Sequence, residues 1–192
     1  MRHEHSGIRR PIFLESRQIV LRDLGTEDVT PAYVNWMNDS EVVQYTESRF
    51  SKHTMESIKS FVLSCCKNPA VVLFGMFSKE SGTHIGNIKL GPINWYHGLA
   101  DLALIIGSRE FWGRGIASEA ITLVSRYAFL EFHLNKITAG CYSTNKASGK
   151  AFLKSGFTIE AVRPRHYRCG NQLVDGVELG LLNPGLPPEP NQ

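Results

Sequence analysis

The sequence predicts an α/β (α+β) fold: a mixed, mostly antiparallel central sheet of about six to seven strands with helices on both faces. Three observations lead there. Short runs such as "RQIVLRDL" alternate apolar and polar residues with the two-residue period of a strand. Longer runs such as "MESIKSFVLSCC" repeat apolar residues at helical spacing. The two kinds follow one another as strand, helices, three strands, helix, strand, helix, two strands, with no linker-like stretch between them.

The elements follow in order. Ile19 and Leu21 alternate with polar neighbours in a first strand. Thr30 then precedes Pro31, a capping residue followed by a proline whose missing N–H costs nothing at the first helical position. This helix carries Tyr33, Val34, Trp36 and Met37 and fades at "NDS"; "EVVQY" reads as a short helical turn and "ESRFSKH" as a loop. Thr54 caps a helix with the stripe Met55, Ile58, Phe61, Val62, Cys65 and Cys66. "AVVLFGMF" and "HIGNIKLG" pair as a hairpin, and "LADLALIIG", nearly all apolar at its end, is a central strand buried on both faces. A long helix starts near Ile116, with Ile116, Ala120, Leu123, Val124, Tyr127 and Leu130 inward and Glu119, Thr122 and Arg126 outward. "KITAGCYS" is a further strand. Asn145 opens a helix that turns Ala151 and Phe152 inward and stops at Gly156. "FTIEAVRPRHYR" and "QLVDGVELGLL" close the fold as a hairpin around "CGNQ".

Residues 1–15 read as a loose arm, 16–183 as a single domain and 184–192 as a proline-rich tail. The chain of 192 residues suits one domain, and 42% hydrophobic residues supply a sizeable core. A net charge of +3 argues against a nucleic-acid binder and suits an anionic ligand. No apolar run approaches the roughly 20 residues that span a bilayer, and "MRHEHSGIRRPIF" lacks the apolar core of a secretory leader. Cys65, Cys66, Cys141 and Cys169 have neither zinc nor disulfide spacing. The expectation is a cytoplasmic protein with reduced thiols, no metal and no membrane partner.

The run "SREFWGRGIASEA" carries the chemistry. Gly113, Gly115 and Ala117 leave the backbone nearly bare where a strand runs into a helix. The first amides of a helix have no acceptor within it and lie at the positive end of its dipole. A phosphate satisfies several at once if no side chain keeps it away, and Arg114 adds a charged contact. A tight turn with close packing would account for the glycines equally well. The dinucleotide fingerprint is not met, because Ser118 stands at its third glycine and no ribose-binding acid follows. The phosphate-loop lysine is also missing, so a nucleotide-binding oxidoreductase is set aside.

The loop Trp112-Gly113-Arg114-Gly115-Ile116-Ala117, followed by "SEA", and the pair "N-x-x-S" at Asn145–Ser148 and "KSGF" at Lys154–Phe157 resemble the GCN5-related N-acetyltransferases (GNAT). The likeness covers about Arg17 to Leu182 and is strongest to the branch of the ribosomal-protein N-terminal acetyltransferases RimJ and RimL. Trp112 departs from the glutamine or arginine usual at the first loop position. The resemblance implies the GNAT fold and transfer of acetyl from acetyl-CoA to a primary amine without a covalent enzyme intermediate. It implies that pantetheine pairs with the backbone of Leu104, Ile105 and Ile106, that the diphosphate sits on the amides from Trp112 to Ala117, and that Asn145 touches the cofactor. Ser148, in the same stretch, matches a serine that protonates the leaving thiolate; a plain first-turn serine is the other reading. Many members place a tyrosine where this chain has Phe152, which donates no proton.

The attacking amine must lose a proton, since an alkylammonium is charged at neutral pH. Asp101 is the leading base, on the central strand where relatives carry a glutamate; a structural acceptor is its other reading. His166, beside Tyr167 on the late hairpin, is the second candidate. Glu47, Arg49 and His53 lie in the loop that walls the acceptor pocket in this family, and Asn94, Trp95 and His97 add polar and aromatic groups at a strand end. The acceptor reading is a small-molecule primary amine such as an amino sugar, ahead of a protein N-terminus. A non-catalytic acyl-CoA-binding module is the reading from another class, and a homodimer is left open.

Overall fold

A computed structural model describes residues 11–186. Strands β1 (Phe13–Glu15) and β2 (Ile19–Asp23) lead to helices α1 (Pro31–Asn38), α2 (Ser40–Val43) and α3 (Met55–Lys67). Strands β3 (Val72–Ser78), β4 (His84–Asn94) and β5 (Leu99–Ile106) follow, then α4 (Ile116–Glu131), β6 (Lys136–Tyr142), α5 (Lys146–Lys154), β7 (Thr158–Cys169) and β8 (Gln172–Leu182).

The strands form one eight-stranded sheet in the order β1-β2-β3-β4-β5-β6-β8-β7. Every neighbouring pair is antiparallel except β5 and β6. A parallel neighbour requires a crossover, and α4 supplies it. Val72, Phe74, Met76, Ile88 and Leu102 pack with Ile116, Ala120, Ile121 and Val124 of α4 on one face. On the other face Leu73 meets Tyr33, Ile58, Val62 and Cys65 of α1 and α3. Thr30 and Thr54 cap α1 and α3 by accepting from the N–H groups of Tyr33 and Ser57, as the sequence predicts.

Four details differ from the sequence reading. The sheet has an eighth strand, because Phe13–Glu15 pairs with β2 where a loose arm was expected; residues 1–10 and 187–192 lie outside the described residues. On α3, Phe61 and Cys66 are exposed, the Cys66 thiol reaching Leu24 O, while Ile58, Val62 and Cys65 are buried. On α4, Leu130 is 58% exposed, and Ile121, Ser125 and Ala128 are buried instead. The sheet lies against the stripe 116-120-124-128 and its 121-125 flank, so the inward face is turned from the expected one. In β5, Asp101 and Ala103 are exposed rather than buried, because α1 and α3 cover the β2–β4 half of that face and stop short of β6.

Candidate active site

Strands β5 and β6 share a ladder only at Leu99↔Lys136, Ala100↔Ile137 and Asp101↔Thr138. Beyond Asp101 they diverge, and one edge of β5 is left without a strand neighbour. Backbone polar groups alternate direction along an antiparallel strand. The Gly107 N–H donates to Ile85 O at 2.9 Å, so odd-numbered positions of β5 face β4. Leu104 and Ile106 therefore offer their N–H and C=O groups to the gap. Ile105, expected to pair with pantetheine, is committed to the β4 ladder at Asn87. The Trp112 indole Nε1 donates to Ile106 O at 2.8 Å and occupies that acceptor.

The loop at the open end of the gap turns through Arg109–Phe111 and enters α4 at Ile116. Gly113 and Gly115 have φ of 74° and 81°, which an L side chain adopts at a cost of about 1–2 kcal/mol. A Cβ at either position would meet nothing within 4 Å. The glycines thus serve the sign of φ and leave open space, not close packing. Among the described residues, the amides of Gly113, Arg114, Gly115, Ile116, Ala117 and Ser118 donate to no protein acceptor. The Arg114 guanidinium lies 5.2 Å from the centre of the Phe111 ring. Unacceptored amides at a helix start, with clear space before them, fit a diphosphate.

Across the gap, Asn145 Oδ1 caps α5 by accepting from the Ser148 N–H at 3.1 Å. The Ser148 hydroxyl makes no hydrogen bond among the described residues. Phe152 is 2% exposed and packs edge-on against Phe157, a core role. Asp101 projects from the face opposite the α4 core, and the Thr138 hydroxyl donates to its Oδ1.

The same face of β6 carries Thr138, Gly140 and Tyr142, because their neighbours Ile137, Ala139 and Cys141 pack into the core. The buried Tyr142 hydroxyl accepts from Arg49 Nη2 at 2.7 Å and stands 3.3 Å from Glu47 Oε1, to which it donates. Its ring stacks on Tyr167, centroids 4.2 Å apart, with Tyr45 at 5.7 Å. Arg49 Nη2 also donates to Arg168 O at 3.1 Å, tying the early loop to the late hairpin. Burial, then the neighbouring Tyr142, push the Tyr167 phenol above its ordinary value. A bulge brings Tyr167 there: register jumps from Arg163↔Gly176 to Tyr167↔Val174. Arg165 has φ of 51°, and its N–H is held by Asp175 Oδ1 at 2.8 Å. Gly176 lies close beneath: a Cβ there would sit 3.0 Å from Tyr167 Cε2, and the ring would have to give way slightly to admit it.

Residues 18–158 match the family model described as an acetyltransferase (GNAT) domain. The chain belongs to the GNAT acetyltransferases. It is 28% identical over 155 residues to the uncharacterized N-acetyltransferase YoaA of Bacillus subtilis, covering 78% of this chain and 84% of that one. The fold also superimposes on two solved structures. The ribosomal-protein-S5-alanine acetyltransferase from Vibrio fischeri matches with a TM-score of 0.79 at 20% identity, over 92% of this chain and 100% of that one. The spermidine N-acetyltransferase from Vibrio cholerae, in complex with CoA and spermine, matches with 0.77 at 21% identity, over 86% and 96%.

The enzyme is thus an N-acetyltransferase, and GNAT enzymes use acetyl-CoA. Among its described residues there is no cluster that could hold a metal ion, and no helix long and apolar enough to cross a membrane. Its GNAT geometry gathers most of the expected site residues but not all. Glu47, Arg49 and Tyr167 meet at Tyr142; His166 is exposed at the bulge, edge-on to Tyr167 at 4.6 Å. His53 Nε2 bonds Ser48 O at 2.9 Å within its own loop. Asn94 and Trp95 do not join the site. Asn94 Oδ1 accepts from the Tyr96 and His97 N–H groups, and Trp95 packs on Phe132. Phe132 ends the 16-residue α4, so Trp95 lies about 24 Å from the glycine loop. Tyr45 and Tyr142 were missed by sequence reasoning. The signal for Tyr142 was the period of two from Thr138, on the face set by the apolar Ile137 and Cys141.

Proposed function

We propose that this enzyme transfers acetyl from acetyl-CoA directly to a small-molecule primary amine seated between Asp101 and the Tyr142–Tyr167 pair. The observation that carries the reading is the placement of Asp101 where the β5–β6 ladder ends, at the base of a gap whose mouth is lined by unacceptored amides. The amides of Gly113–Ser118 take the diphosphate, Leu104 and the Ile106 N–H offer the strand edge to pantetheine, and Asn145 closes the far side. Acetyl-CoA supplies a thioester whose carbonyl carbon accepts an amine and releases a thiolate.

Asp101 takes the ammonium proton, directly or through water. The amine nitrogen then bonds the acetyl carbon as the carbon–sulfur bond breaks, and the nitrogen gives its second proton to solvent as the neutral amide forms. Ser148 gives its hydroxyl proton to the thiolate and regains one from solvent. Glu47 and the stacked tyrosine faces suit a cationic or polyhydroxylated acceptor, through charge and ring contact; amino sugars and polyamines share these features. The loop "WGRGIA" supports placing the enzyme in the RimJ/RimL-like branch, which keeps a protein N-terminus as the second reading. The four cysteines form no disulfide, which suits a cytoplasmic enzyme.

The test is an acceptor screen with labelled acetyl-CoA, products identified by mass spectrometry. The expected result is faster acetylation of amino sugars or polyamines than of peptides. Peptides as the best acceptors would establish the second reading. Acetyl-CoA binding with no CoA release for any amine would make the protein a binding module.

A further inference from the structure

The loop 113–117 contains two glycines at positive φ, the residue with the widest backbone freedom. Something must orient its amides. Among the described residues, one side-chain hydrogen bond reaches the backbone of this segment: Gln18 Nε2 donates to Arg114 O at 3.2 Å, from 96 residues away in sequence. Gln18 lies just before β2. Its other Nε2 hydrogen goes to Glu119 Oε1 at 2.6 Å, so the NH2 group is fully used. Glu119 Oε2 in turn accepts from the Gln18 backbone N–H at 3.1 Å and from Ser16 Oγ at 2.5 Å. Burial pushes the Glu119 carboxyl up, but the bonds from Ser16 and Gln18 outweigh it and leave the carboxyl below its ordinary value. A carboxylate in the first turn of α4 thus grips Gln18 by both its backbone and its side chain.

The consequence follows from peptide geometry. A trans peptide is planar, and its C=O and N–H point in opposite directions. Gln18 draws Arg114 O to one side, which turns the Gly115 N–H to the other. We propose that Gln18, held by Glu119, is a positioning residue that aims the Gly115 amide at the cofactor diphosphate. This rests on reading Gly113–Ser118 as the diphosphate site. Gln18 touches neither the thioester nor the amine, so its effect is confined to ligands that carry the diphosphate.

The test compares Gln18→Met, which keeps length and loses both donors, and Gln18→Ala with the wild type. Each is measured with CoA by calorimetry and with acetyl-CoA and acetyl-pantetheine as donors; the last has no diphosphate. The expected result is a rise of about three- to tenfold in the CoA Kd and the acetyl-CoA KM, the size of one hydrogen bond. The acetyl-pantetheine KM stays at the wild-type value, and the loss appears in KM rather than kcat. Gly115→Asp serves as the control for the site. Equal losses with both donors overturn the proposal and make Gln18 a general structural residue. Unchanged CoA binding in both Gln18 variants, with binding abolished by Gly115→Asp, also overturns it and leaves the diphosphate site standing. If Gly115→Asp also binds CoA normally, the loop is not the diphosphate site and the proposal falls with it.

Discussion

The Thr138 hydroxyl donates to Asp101 Oδ1 across the last rung that β5 and β6 share. The ladder ends on a carboxylate. From the next residue on, the edge of β5 belongs to the gap. Thr138 engages one carboxylate oxygen and so fixes the plane of the group, while Oδ2 accepts from no described residue. This geometry suits the role of base proposed for Asp101: the group is held in place with one oxygen in reserve.

Asp101→Asn keeps the shape and the Thr138 bond but cannot take a proton. Turnover is expected to fall by about 100-fold or more, while the CoA Kd measured by calorimetry stays near the wild-type value. Thr138→Val should cost less, since it frees the carboxylate without removing it. A fully active Asp101→Asn enzyme would move the role to His166 or solvent.

The Tyr142 hydroxyl ties β6 to the early loop, and its ring stacks on the late hairpin. Tyr142→Phe leaves its ring stacked on Tyr167 but removes the acceptor for Arg49 and the donor to Glu47. Arg49 keeps Arg168 O, so the loop stays tethered. The acceptor KM should rise about fivefold, the weight of about 1 kcal/mol, with the acetyl-CoA KM unchanged. A shift in acetyl-CoA KM alone would place the acceptor elsewhere.

The parts of this molecule that follow from short-range chemistry were legible in its sequence. Thr30 and Thr54 announced helix starts because a cap acts within three residues. Gly113 and Gly115 announced the loop because the sign of φ is a local property. Which way a helix turns is decided by what lies against it, so Leu130, expected inward, is exposed, and Ser125, absent from the expected stripe, is buried. Tyr142, Tyr45 and Arg49 meet across long sequence separations and left only the period of β6 as a trace. Asn94 misled for a related reason: a strand end carries no sign of which end of the neighbouring parallel pair it adjoins. Its turn with Tyr96 and His97 is local, and "NWYHG" could have been read as a capped turn.

His84 couples stability to pH. Its ring stacks on Phe77 and meets Tyr33 and Trp36 edge-on. Nε2 donates toward Gly86 O and Asn87 Oδ1, and Nδ1 is buried with no partner. Burial holds its pKa below the ordinary value, against those two hydrogen bonds. The unfolded chain takes up a proton as pH falls through about 6.5; the folded protein does so only at lower pH. This contribution is therefore complete above the unfolded value and lost as pH falls below it. Thermal midpoints should drop between about pH 7.5 and about pH 5.5, and His84→Gln should flatten that drop. Parallel curves for the two proteins would assign the acid sensitivity to other groups.

Ser148 offers the cleanest separation of chemistry from structure. Its backbone N–H, not its hydroxyl, completes the Asn145 cap. Ser148→Ala therefore preserves every hydrogen bond described at the start of α5, and alanine is the better helix former. The thermal midpoint should be unchanged or slightly higher. If the hydroxyl protonates the leaving thiolate, turnover falls while acetyl-CoA still binds, and the loss shrinks with a thioester whose thiol is more acidic and needs no proton to leave. Asn145→Ala is the opposite case: it removes the cap itself, at about 1 kcal/mol of stability, along with the side-chain amide proposed to touch the cofactor. A Ser148→Ala enzyme at full rate with ordinary acetyl-CoA would leave solvent as the acid and Ser148 as helix surface.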